Sequence, residues 1–80
     1  MNIYLVSRNS PCGWDEYDSF VVIASSEDQA KFTHPSNKYW DGKESIHGSW
    51  VNADRVIVKL IGKALDNSEY GIVCSSFNAG

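Results

Sequence analysis

Long apolar runs are missing from this chain. No segment approaches the ~20 apolar residues of a membrane span, and the opening Met-Asn-Ile-Tyr-Leu-Val-Ser-Arg has no run of signal-peptide length. The expectation is a cytoplasmic protein with no membrane partner. Cysteine is scarce as well: there are two, Cys12 and Cys74, far apart in sequence. In a reducing compartment they are expected as free thiols, Cys74 buried as a small apolar residue, although one bridge between them is geometrically possible. Bases are outnumbered, 7 Lys and Arg against 10 Asp and Glu, for a net charge of −3. A protein that replaces phosphate counterions needs the opposite balance, so no direct nucleic-acid partner is expected.

The signatures of catalysis and metal binding are also absent. Gly42 and Gly48 are isolated, and no glycine-rich phosphate loop exists. His34, His47, Cys12 and Cys74 are zinc-capable types without finger-like spacing. Asp15, Glu16 and Asp18 lack the spacing and distal Glu of a calcium loop. As an acid–base pair they would need burial to separate their pKa values. No nucleophile stands at a recognisable spacing from a base. The expectation is a protein that is not an enzyme and carries no cofactor and no metal.

What the chain has is aromatic residues and short β-rich runs. Eighty residues with 42% apolar and 21% charged content make one small α+β domain rather than a disordered chain. A domain of this size buries only about 60 to 65% of its unfolded surface, so its core is thin. Ile3-Tyr4-Leu5-Val6 reads as a strand, and Asn9-Ser10-Pro11-Cys12-Gly13 as a cluster of turn formers after Arg8. Ser19 to Ser25, apolar on both faces at Phe20-Val21-Val22-Ile23-Ala24, reads as an interior strand. Ser26-Glu27-Asp28-Gln29 is a capping box that opens a helix of about two turns, with acids in the first turn where they complement the helix dipole. The helix is expected to run to about Thr33. His34-Pro35 stops it, with His34 at its C-terminal end and Ala30 and Phe32 facing the sheet.

Val56 to Gly62 reads as a second strong strand and Gly71 to Ser75 or beyond as the last, the two paired as a hairpin around a turn at Asp66-Asn67-Ser68-Glu69. Phe77 is expected as an anchor before a short tail. The long connection Ser36–Asp54, with Tyr39, Trp40, Ile46, Trp50 and Val51, reads as an ordered flap over part of the sheet. The order is β-β-α-β-β in a single antiparallel sheet. One face carries the short helix. The other needs a cover: the 36–54 segment, a second copy of the chain, or a partner.

Two sets of residues have no role in that scaffold. The first is Trp14-Asp15-Glu16-Tyr17-Asp18, which follows neither a strand nor a helix period and holds three of the five acids found before Lys31, where Arg8 is the one base. An acidic face of this kind suits a basic partner surface. A solvated surface that keeps a small protein soluble explains the same acids without a partner. The second set is Tyr39-Trp40 and Trp50. Trp and Tyr give large contact area at low entropy cost and are enriched at interface hot spots. They serve equally to thicken a thin core, which is expected of at least two of Trp14, Tyr17, Tyr39, Trp40 and Trp50.

The opening Asn-Ile-Tyr-Leu-Val-x-Arg resembles a family of small proteins encoded by bacteriophages and prophages. Similar too are Tyr17-Asp18-Ser19-Phe20-Val21-Val22, His34-Pro35 and the closing Ser76-Phe77-Asn78-Ala79-Gly80. The resemblance implies a genomic setting, the bacterial host cytoplasm, and no catalytic residues. Small phage proteins without enzymatic motifs often bind host or defence machinery, CRISPR effectors included. The reading is a non-enzymatic accessory protein that inhibits a host or defence protein through Trp14, Asp15, Glu16, Tyr17, Asp18, Tyr39 and Trp40, with a homodimer compatible. The alternative is a small-molecule or nucleotide-binding protein that uses the aromatic 36–54 flap.

Overall fold

A computed structural model describes the chain at residues 1–36, 38–43 and 48–78, with the backbone alone at 38 and 39. Ile46, His47 and the closing Ala79-Gly80 lie outside the described residues. Four strands, β1 (Asn2–Arg8), β2 (Glu16–Ala24), β5 (Val56–Lys63) and β6 (Gly71–Asn78), form one antiparallel sheet in the order β5-β1-β2-β6. Beside it, β3 (Thr33–His34) and β4 (Lys38–Tyr39) form a two-residue ladder. The helix α1 is Glu27–Lys31.

The sheet grows from the β1–β2 hairpin, whose register sets Tyr4 opposite Val22 and Val6 opposite Phe20. These residues, with Ala24 and Ala30 of the helix, are buried and make the core. β2 is interior, as its two-sided apolar run requires. It starts three residues earlier than the period suggests, because Asp18 is an extra residue between the pairs Tyr17↔Phe77 and Ser19↔Ser76. A bulge breaks the two-residue alternation, so Glu16-Tyr17-Asp18 looked like loop.

The expected β5–β6 hairpin does not form. The two strands take opposite edges, β5 on β1 and β6 on β2. The central β1–β2 hairpin leaves one unpaired edge on each side, and each of the two strands fills one of them. Residues 64–70 then cross three strand spacings, about 14 Å, which is well inside the reach of seven residues. Tyr70 at the end of this crossing packs on the core and meets Thr33, hydroxyl to hydroxyl at 2.5 Å.

The helix is shorter than expected. Ser26 accepts the Gln29 N–H at 3.1 Å as N-cap. The return bond of the box falls one residue early, from the Ser25 N–H to Gln29 Oε1 at 2.6 Å. At the other end the Thr33 hydroxyl donates to the Gln29 carbonyl at 2.6 Å. A side chain thus takes the acceptor that the next backbone turn would use, and the chain leaves the helix before His34-Pro35 is reached. Thr33 is fully buried, His34 lies in β3, and Phe32, the C-cap, is exposed rather than facing the sheet.

Trp50 and Val51 are buried in the same core as Ala30, and Trp40 packs against it. The described part of the 36–54 connection therefore lies on the helix side of the sheet, not on the opposite face. Gly42 sits at φ +87°, and its carbonyl accepts the Ala53 N–H at 2.8 Å. A Cβ there would stand 2.8 Å from Phe32 Cε1. The exposed Phe32 ring can yield, but the left-handed backbone cannot. Gly42→Ala is expected to cost about 1 to 2 kcal/mol. The melting temperature should fall by about 4 to 15 °C, which a thermal melt followed by circular dichroism checks.

Candidate functional site

The 9–15 loop that joins β1 to β2 is tied down at both ends. The Asn9 N–H donates to the Arg55 carbonyl at 2.7 Å, the Asp15 N–H to the Asn78 carbonyl at 2.6 Å, and Asn78 Nδ2 to the Gly13 carbonyl at 3.0 Å. Asn78, expected in a tail, is the last residue of β6 and a clasp on this loop. Inside the loop Glu16 is the brace. Its Oε1 accepts the Gly13 N–H at 2.6 Å and its Oε2 faces Arg8 Nη1 at 3.4 Å. Arg8 also donates to the Tyr17 carbonyl and to Ser10 Oγ, both at 3.2 Å. Of the three acids grouped by sequence, Glu16 is thus folded back on the scaffold, while Asp15 and Asp18 are exposed. Asp15 holds φ 58°, a left-handed torsion that a short polar residue tolerates better than most.

Trp14 stands next to that kink with 74% of its surface exposed. Nearby, a row of rings crosses from the sheet edge to the flap. Phe77 meets Tyr17 edge-on at 4.8 Å, Tyr17 meets His34 at 6.3 Å, and His34 meets Trp40 at 6.1 Å. The Trp40 Nε1–H donates to the Lys43 carbonyl at 2.8 Å. Edge-to-face spacing of this kind is favourable beyond area burial. The structure therefore joins Tyr17 of the first expected set to Trp40 of the second, through His34, which sequence placed at a helix end. Phe77 and His34 were missed because a ring row is made by cross-strand register, which no spacing in the chain encodes. Tyr39 contributes backbone to β4 opposite Thr33, and its side chain lies outside the described residues.

Trp50 belongs to the core instead. It is 1% exposed, packs edge-on against Phe20 at 5.4 Å, and its Nε1–H has no partner among the described residues. The two thiols are free, and Cys74 is exposed, not buried, because β6 is an edge strand and the register sets Cys74 on the open face opposite Val21. Among the described residues no group of three or more His, Cys, Asp or Glu could hold a metal ion, and no helix is long and apolar enough to cross a membrane. No family model, curated protein or solved structure matches this chain.

Proposed function

We propose that this is a non-enzymatic phage accessory protein that binds and inhibits a host or defence protein. The working surface would be Trp14, Asp15 and Asp18, with the Tyr17–His34–Trp40 row beside them. Glu16 shapes that surface by bracing the loop, and the aromatic 36–54 connection supports it from the flap side in a β-β-α-β-β plan.

The observation that carries the reading is Trp14: a large ring, 74% exposed, on a loop tied by backbone bonds to Arg55 and Asn78. Holding an aromatic side chain in water on a braced loop stabilises nothing in the fold, while an interface anchor needs such preorganisation. Exposed carboxylates beside it suit a basic surface on the partner. Nucleotide binding between Trp40 and Trp50 lacks comparable support, since Trp50 is core.

The test is capture from a bacterial host lysate with wild type and with Trp14→Ala/Asp18→Ala. Trp14 and Asp18 are exposed, so the variant should keep its fold. Wild type is expected to retain a partner that the variant loses by at least about tenfold, the worth of one hot-spot contact. Equal capture by the two would overturn the surface assignment.

A further inference from the structure

The cross-strand pairs Ile3↔Ile23, Leu5↔Val21 and Val21↔Cys74 place five apolar side chains on the face of the sheet opposite the helix. The pairs Ser7↔Ile57 and Leu5↔Lys59 add Ile57 and a charge, Lys59, to the same face. Ile3, Leu5, Val21 and Ile23 are half-buried, and Ile57 is 48% exposed. The helix, Trp50, Val51, Trp40 and Tyr70 all pack on the other side. A sheet with one apolar face uncovered is an unfinished layer.

We propose that this face is the interface of a symmetric dimer, closed by the same face of a second copy of the chain into an aligned two-sheet sandwich. Area argues for it. Four strands ~4.8 Å apart and about seven paired residues at ~3.4 Å give a face of about 450 Å² in projection. Two copies remove about 900 Å² before side-chain relief is added, which reaches the ~1,000 Å² of a specific interface. The single chain exposes 5181 Å². A compact monomer of 8.9 kDa exposes about 4,800 Å², so the chain shows more surface than its mass requires.

Charge argues for a copy rather than a charged partner, because among the described residues Lys59 is the one charged ladder partner of Ile3, Leu5, Val21, Ile23 and Cys74. A two-fold axis along the strands stacks β5 on β6 of the second copy. Lys59 then lies over the neutral Cys74–Ser76 stretch, not over the other Lys59. The predicted dimer is independent of the Trp14 surface, which sits on the β1–β2 loop.

Sedimentation under reductant, from about 1 μM to about 1 mM, reads the assembly directly, with a dissociation constant expected in the micromolar range for an interface of this size. Val21→Lys, at the centre of the face, and Ile57→Lys, at its exposed edge, should each weaken it at least tenfold. Ile57→Lys keeps the test valid if Val21→Lys fails to fold. In wild type, alkylation of Cys74 should slow as the protein is concentrated while that of Cys12 does not. A wild-type chain that stays monomeric to about 1 mM overturns the proposal. So does a dimer that survives both lysine substitutions or leaves Cys74 as reactive as in the monomer.

Discussion

Trp50→Ala is expected to cost about 3 to 5 kcal/mol, a quarter or more of the stability of a domain this size. The residue is the largest side chain that the core buries completely, and its ring closes on Phe20 of the central strand. An alanine would leave a cavity between the sheet and the 36–54 connection, with little other apolar mass to collapse into it. A chain of 80 residues has a total stability of about 4 to 12 kcal/mol, so this one ring carries a sizeable share. Trp50→Phe separates volume from polarity. It keeps a ring in the site and removes an N–H that has no partner among the described residues, an arrangement that itself costs about 1 to 3 kcal/mol. The phenylalanine variant should therefore lose much less, about 1 to 2 kcal/mol. Urea unfolding followed by circular dichroism measures both. A loss under about 1.5 kcal/mol for Trp50→Ala would mean that the ring is not part of the folded core.

Glu16→Ala should be the second costly change, at about 2 to 4 kcal/mol, although its carboxylate is the more exposed member of the ion pair. The side chain of Arg8 is 7% exposed and that of Glu16 24%. Removing Glu16 takes its brace from the exposed Gly13 N–H and leaves a buried guanidinium whose acceptors among the described residues are the Tyr17 carbonyl and the Ser10 hydroxyl. Removing the cation instead, in Arg8→Met, leaves a carboxylate that can turn toward water and fills the site with apolar volume. The double variant Arg8→Met/Glu16→Ala is therefore expected to be more stable than Glu16→Ala alone, by about 1 to 2 kcal/mol. A double variant no better than Glu16→Ala would show that the Gly13 bond and loop geometry, not the buried charge, carry the cost. Because the same loop holds Trp14, Glu16→Ala should also change Trp14 fluorescence under conditions where the domain is still folded.

These two residues also mark where sequence and structure part. Trp50 and Trp40 occupy the same irregular connection and look alike as candidates for either a core or a surface. One is buried against Phe20, and the other caps a row of rings at the margin. Glu16 sits between two acids of the same apparent kind, and its neighbour across the hairpin, Arg8, singles it out. The sequence reads Cys74 as buried, yet it is exposed because β6 is an edge strand, while Phe77, expected as an anchor, packs edge-on against Tyr17 with 46% of its surface exposed.

By itself the sequence determined the local elements: the first strand at Ile3–Val6, the two-sided apolar run of β2 and the Ser26 cap. Each of these rests on torsional preference or hydrogen bonds within a few residues, which the chain carries with it. Only the tertiary structure decided that β5 and β6 lie at opposite edges, that the helix and the aromatic connection share one face, and that Tyr17, His34, Trp40 and Phe77 line up. Those outcomes follow from competition between distant strands for the two free edges of the β1–β2 hairpin. Bulges at Asp18 and Val73 then shift the register in ways that no alternation pattern records.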